Sequence, residues 1–349
     1  MTTPVRERWA GTILILISTI CYGISNTTIR VLTDYEIPND WILFYKELIG
    51  FAIILPWLTL RFFQGRYHHT SKRLILFVAL AAILCELIGA RLHVLGFAVI
   101  GLLVAVPLVQ SSTLLGTAVF GRIFLGDPIS RKRITAIAIL ISSVILLSIG
   151  KEFTATQGET EAEAVQHNMG LFLLVAAGTV IAGIAYSIYI VMIRFAIRKY
   201  WHDENSVWMS FQFSQWAGYD YPKRTSVSDW KHYAPFPVTL MMSIVLGVGI
   251  ITFGLCLFFS QGMVGFTDAP EAAWRLVPIS GVANMVGFFF QIQGLRMTTA
   301  VQASLIAVSQ MLVLSFIGFF FFDEPINLLV VLGLSLTAVG VVMSARPEK

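Results

Sequence analysis

The sequence predicts an all-α polytopic membrane protein, with ten transmembrane helices arranged as two inverted five-helix repeats. Three observations lead there. The 349 residues are 56% hydrophobic and only 13% charged, too little charge to cover the surface of a soluble domain of this size. Ten apolar runs, centred near residues 20, 50, 85, 112, 140, 182, 249, 284, 311 and 334, are each long enough to cross a bilayer, which takes about 20 residues at about 1.5 Å rise. The third observation is an internal echo. Phe97–Ile129 and Gly294–Ile326 align at an offset of 197 residues with eight of 33 positions identical, including Gly121/Gly318, Phe124/Phe321, Pro128/Pro325 and Ile129/Ile326. Each stretch reads as one helix-length run stopped by an acid-Pro-Ile sequence, with Asp127 opposite Glu324.

Taken in order, the first run ends in Tyr22 and Arg30, eight residues apart, and the sixth repeats that spacing with Tyr186 and Arg194. Lys and Arg in the loops set the orientation. With the N-terminus cytoplasmic, 19 of the 24 cations fall on one side, in segments that include Arg61, Arg122, Arg131, Arg194 and Arg296. Both termini are then cytoplasmic. Five runs per half means that the second half enters from the opposite face, the inverted-repeat arrangement common among secondary transporters. The expected organisation is a first repeat over 1–150, an external acidic linker over 151–168, and a second repeat over 169–345 with a cytoplasmic aromatic and basic insertion at 199–237. Trp9, Trp41, Trp57 and Trp274 stand at run ends, where amphipathic rings settle at headgroup level. The first run passes a full membrane length without a small-residue cleavage site, so it reads as a span rather than a signal peptide.

Ionisable groups inside the apolar runs are the site candidates, because each costs at least about 2.5–3.5 kcal/mol at a helix centre. Glu86, Arg91 and His93 share the third run. Glu86 and His93, seven apart, fall on one helix face near Gly89 and Ala90. Glu86 lies near the middle of the run and is the candidate coupling or substrate-cation group. Arg91 is either a gating group or a snorkelling anchor. Lys46-Glu47 in the second run is either an interfacial pair or an ion pair inside the bundle, and Arg30 is either an anchor or a gate. The uncharged polar residues Asn26, Gln110, Ser111, Asn284, Gln291 and Gln310 serve interhelical hydrogen bonding or line one central cavity with Tyr22 and Tyr186. The two acid-Pro stops read as structural, each carboxylate satisfying free N–H groups at the start of the next helix.

Other chemistries find little support in the residues. Cys21, Cys85 and Cys256 all lie within apolar runs, which argues for packing rather than a disulfide framework. His68-His69 has no acidic or Cys neighbour for a metal site, and HExxH, CxxC and phosphate-cradling Gly motifs do not occur. Ser25 and His93 would be the only serine–histidine dyad to consider. The net charge of +4 sits in short loops and does not suggest nucleic acid.

Tyr22-Gly23 through Arg30, Lys46 sixteen residues on, and the Gly294–Glu324 stretch with its terminal acid resemble the drug/metabolite transporter superfamily, specifically its EamA-type members. The resemblance covers nearly the whole chain. It departs at Met311, where the family commonly has Pro, at Asp127-Pro128, where Gly-Glu is usual, and in the long segment from Tyr200. It implies a secondary-active carrier of a small polar or amphipathic metabolite, amino-acid-like or an organic cation. Such a carrier would work by alternating access without a cofactor, as a monomer or homodimer in the inner (plasma) membrane, and would run as an exporter. The same fold running as a proton-coupled importer or exchanger is the alternative. A membrane-embedded lipid-handling or hydrolytic protein is the reading from a different class.

Overall fold

In the computed structural model of the protein the described residues are 5–35, 37–64, 72–100, 102–127, 131–155, 169–197, 238–267, 269–321 and 327–345. Of the linker expected at 151–168, residues 151–155 continue the fifth helix; residues 156–168, the insertion at 199–237, His68-His69 and the Glu324-Pro325 stop lie outside the described residues. The described chain is a bundle of long helices. The first two spans are Val5–Thr33 and Asn39–Phe63. The third runs through Lys72–Ile83, Leu84–Ala90 and Arg91–Ile100, the fourth is Leu102–Leu125 and the fifth Arg131–Ala155. The second half contributes Met169–Ile197, Val238–Gln261 and Glu271–Leu295. A ninth span follows in two pieces, Ala300–Ala307 and Gln310–Phe321, and then a tenth, Leu328–Ala345. Among the described residues seven of these helices are long and apolar enough to cross a membrane by themselves; the fifth, ninth and tenth are shorter or interrupted apolar helices.

Burial here follows lipid rather than water. Phe63, Phe259 and Leu328 are 85%, 81% and 74% exposed, whereas Lys46, Glu47, Glu86 and His93 are buried. Apolar side chains lose nothing by facing hydrocarbon, while backbone polar groups must be satisfied within each helix. That requirement also explains why Pro56, Pro107 and Pro278 sit inside continuous helices: neighbouring helices re-satisfy the freed carbonyls.

Packing follows the expected symmetry. The first span packs on the eighth, the third on the sixth, the second on the seventh, the fourth on the ninth and the fifth on the tenth. A two-fold axis that exchanges each span with the one five places later maps the last three pairs onto themselves and the first two onto each other. Small residues permit the approach. A Cβ added to Gly281 would sit 2.8 Å from Ile49 Cβ and 3.0 Å from the Lys46 carbonyl.

Three features depart from a plain helical reading. Residues Leu84–Ala90 form a π-helical segment, a local widening often found at functional sites. The ninth span, expected as one helix, breaks between Ala307 and Gln310, where Ser309 and Met311 donate to carbonyls three residues back, those of Ile306 and Val308. Broken helices at membrane depth are tolerated where protein or a cavity lines them. Trp41 is not a headgroup anchor. It is fully buried, with ring centroids 4.7 Å from Tyr45 and 5.0 Å from Trp274, because two spans meet over it. Trp9 and Trp57 remain about half exposed at span ends, at 45% and 50%.

Candidate functional site

The π-helical segment places Glu86 inside the bundle, 6% exposed, facing the second span. There Lys46 Nζ and Glu47 Oε1 form a buried ion pair at 2.8 Å. Glu86 lies beside Cys85 and within electrostatic range of both Lys46 and Glu47. The eighth span adds Asn284, whose Nδ2 donates to Glu47 Oε1 at 3.5 Å. It also adds Gln291, whose Oε1 accepts from Tyr22 OH at 2.8 Å. Tyr22 and Tyr186 both lie within electrostatic range of Glu47 and Glu86. The Tyr186 hydroxyl stands 3.5 Å from His93 Nδ1, and its ring fills the space over Gly89, 3.0 Å from where a Cβ would be.

The fold thus gathers Tyr22, Lys46, Glu47, Glu86, His93, Tyr186, Asn284 and Gln291 from the first, second, third, sixth and eighth spans. Two buried carboxylates face one buried ammonium. In a medium of low dielectric an unmatched carboxylate is held only by a proton, a cation or water. On the far side of this cluster the His93 Nε2 has no hydrogen-bond partner among the described residues, an uncommon state for a buried polar nitrogen.

Other predicted residues lie elsewhere. Gln110 Nε2 donates to Gln310 Oε1 at 2.8 Å, and Ser111 turns back to its own helix, donating to the Leu108 carbonyl at 3.1 Å. Asn26 is half-buried on the first span. Arg30 pairs with Asp34 one turn on. Arg91 pairs with Asp40 at 3.0 Å and reaches Cys256 Sγ at 3.7 Å, so it is neither in the central cluster nor a free anchor. Ser25 shares a hydrogen bond of 2.9 Å with Ser280 of the eighth span, and the His93 ring faces Tyr186 and Phe97. No Ser–His hydrogen bond joins them among the described residues. No group of three or more metal-ligating side chains occurs among them either.

The Asp127 stop reaches across the bundle. Gly126 adopts a left-handed φ of 66° and ends the fourth span, which turns Asp127 inward to 2% exposure. Its Oδ2 accepts the Ala300 N–H at 3.0 Å and lies 3.6 Å from Arg194 Nε. Arg194 Nη1 in turn donates to the Leu295 carbonyl at 3.2 Å. Asp127 therefore satisfies an N–H at the start of a helix of the other repeat. Sequence reasoning treated Arg194 only as a loop-side cation and repeat mate of Arg30; that mate relation, set beside the acid at the end of the fourth span, was the signal available.

Two segments of the chain, residues 9–149 and 227–346, match the family model described as EamA-like transporter family. The chain belongs to the EamA-like transporter family. The double match agrees with the two repeats seen in the packing, and the membership makes the chain a multi-pass membrane transporter of small molecules within the drug/metabolite transporter superfamily. A solved structure described only as "Crystal structure of protein" superposes with a TM-score of 0.60 over 96% of this chain and 96% of that chain. Its sequence identity is 11%, so that likeness speaks for the EamA-like fold alone. No curated protein matches the chain.

Proposed function

We propose that this EamA-like protein is a secondary-active carrier whose substrate and coupling site is the central cluster of Lys46, Glu47, Glu86, His93, Tyr22 and Tyr186. The observation that carries the reading is the buried charge count: two carboxylates against one ammonium, beside an unpartnered His93 Nε2. Such a cluster accepts one monovalent cation, either a proton or the ammonium of an amino-acid-like or organic-cation substrate, and Lys46 is on hand for a substrate carboxylate. Alternating access between the two repeats carries the occupied site from one face to the other. The loop cations place both termini in the cytoplasm of an inner (plasma) membrane protein, and the working direction is export.

The test is transport by purified protein in liposomes, after a thermal-shift screen against amino acids and organic amines has supplied a ligand, since a ligand that binds only the folded state raises its stability. Accumulation that needs a gradient or a counter-substrate supports a carrier. Stoichiometric consumption of the ligand without a gradient supports the lipid-handling or hydrolytic reading. Failure of every cationic or zwitterionic ligand, with an anion transported instead, overturns the site assignment.

A further inference from the structure

We propose that Asp127 and Arg194 form the cytoplasmic gate of the carrier, a latch between repeats that must open whenever the central cluster faces the cytoplasm. Asp127 ends the fourth span, in the first repeat, and Arg194 ends the sixth, in the second. They meet at the junction between the eighth and ninth spans, where Leu295 is the last residue of one helix and Ala300 the first of the next. One carboxylate thus accepts a hydrogen bond from the Ala300 N–H at 3.0 Å and pairs by charge with the Arg194 guanidinium at 3.6 Å, both in the opposite repeat. Arg194 closes the circuit by donating to Leu295.

Two features make this a gate rather than a plain cap. The latch ties the ends of the fourth and sixth spans, which pack on each other along their length, to the head of the ninth, and it is buried, so its charges hold each other with little screening. It also depends on the ninth span being short at this end. Ala300–Ala307 is only eight residues before the break at Val308–Ser309, so a small piece, not a whole helix, moves when Asp127 lets go. The opposite end of the bundle is closed by other means, the aromatic contact of Trp41 and Tyr45 with Trp274. The two ends therefore respond to different substitutions.

The proposal rests on the carrier reading for its purpose but not for its test, because Cys85, beside Glu86 and 5% exposed, reports access to the centre without any substrate. In a Cys21→Ser, Cys256→Ser background, labelling of Cys85 by an impermeant thiol reagent is measured separately from each face in oriented vesicles. Asp127→Asn and Arg194→Gln should each raise the rate from the cytoplasmic face by about tenfold or more, the factor carried by a lost hydrogen bond to a charged group. The rate from the other face should not rise, because opening one face depletes the state open to the other.

A second pair of variants keeps the proposal testable if those fold poorly. A Cβ at Gly121 would lie 3.9 Å from Ala300 Cβ, inside the roughly 3.5–4.5 Å window for a disulfide. Oxidising Gly121→Cys/Ala300→Cys should stop cytoplasmic labelling of Cys85 and stop transport, with both restored by reduction. Unchanged cytoplasmic labelling in Asp127→Asn, an equal rise from both faces, or cytoplasmic labelling that survives the cross-link would each overturn the gate. If wild-type protein carries none of the ligands tested, the carrier reading fails while the labelling still decides the latch.

Discussion

Gln110 Nε2 donates a hydrogen bond to Gln310 Oε1 at 2.8 Å, joining the fourth span to the ninth at the point where the ninth is broken. The break leaves Gln310 as the first residue of the second piece, buried at 3% exposure, so the side-chain bond ties the broken point to the fourth span. Membrane hydrogen bonds of this kind are worth about 0.6 kcal/mol on average and up to about 1.7. A double-mutant cycle of Gln110→Ala and Gln310→Ala, read by heat unfolding in detergent, should give a coupling of about 0.5–1.5 kcal/mol. A coupling near zero would mean that the pair is incidental to the break.

Close helix contacts give a second prediction. Gly281→Ala pushes a methyl into Ile49 Cβ and the Lys46 carbonyl, at 2.8 and 3.0 Å, neither of which can swing aside. Overpacking of that kind destabilises by about 1–3 kcal/mol. The matched control is Gly247→Ala on the seventh span, where the nearest atom is Phe51 Cε2 at 3.9 Å and helix propensity favours alanine by up to about 1 kcal/mol. Unfolding midpoints of the two variants should shift in opposite directions. If Gly281→Ala melts like wild type, the second and eighth spans are not held as closely as the geometry says.

What the sequence made legible and what it did not divide along one physical line. Run length, loop cations and the Tyr22–Arg30/Tyr186–Arg194 spacing depend on the bilayer and on chain length, and these already implied ten spans in two inverted repeats. Which polar residues meet depends on helix rotation, and one face looks much like another in an apolar run. Glu86, Lys46 and Glu47 stood out because charge at that depth is costly, and they do assemble. Arg91 stood out for the same reason and pairs instead with Asp40, because between Glu86 and His93 it falls on a different, exposed face of the helix. The π-helical segment at Leu84–Ala90 and the break at Val308–Ser309 carry no Pro to announce them; Met311 stands where the family commonly has that Pro. Ser280 was invisible, since a serine in an apolar helix acquires meaning only from the Ser25 hydroxyl opposite it.

The buried pair Lys46–Glu47 makes a third prediction, on stability. Removing one partner leaves an uncompensated charge, which for buried pairs typically costs about 3–5 kcal/mol, while replacing both by apolar residues of similar volume is close to neutral. Lys46→Met and Glu47→Leu should each lower the unfolding midpoint strongly, and the double variant should recover most of the loss. Transport should not recover with it. A double variant that is both stable and active would take the pair out of the site and leave it as packing.

The last prediction concerns Glu86. It sits in the π-helical segment, 6% exposed, across from an ion pair that already satisfies Lys46. Its charge therefore has no dedicated counter-ion, and the groups around it that could share a proton or a ligand are Cys85, Glu47, Lys46, Tyr22 and Tyr186. A carboxylate so placed is held by whatever cation occupies the cluster. If that cation is a proton, Glu86→Gln mimics the permanently protonated state: transport driven by a pH gradient stops, and substrate exchange across the membrane continues. If it is the substrate ammonium, both modes stop and the ligand-induced thermal shift is lost, since the amide offers no charge to bind. Because Gln is nearly isosteric and removes a buried charge rather than creating one, the variant should fold at least as stably as wild type, which keeps the transport assay interpretable. Wild-type rates in both modes would assign Glu86 to packing and move the site's cation requirement to Glu47, where Glu47→Gln with Lys46→Met would be the next pair to measure.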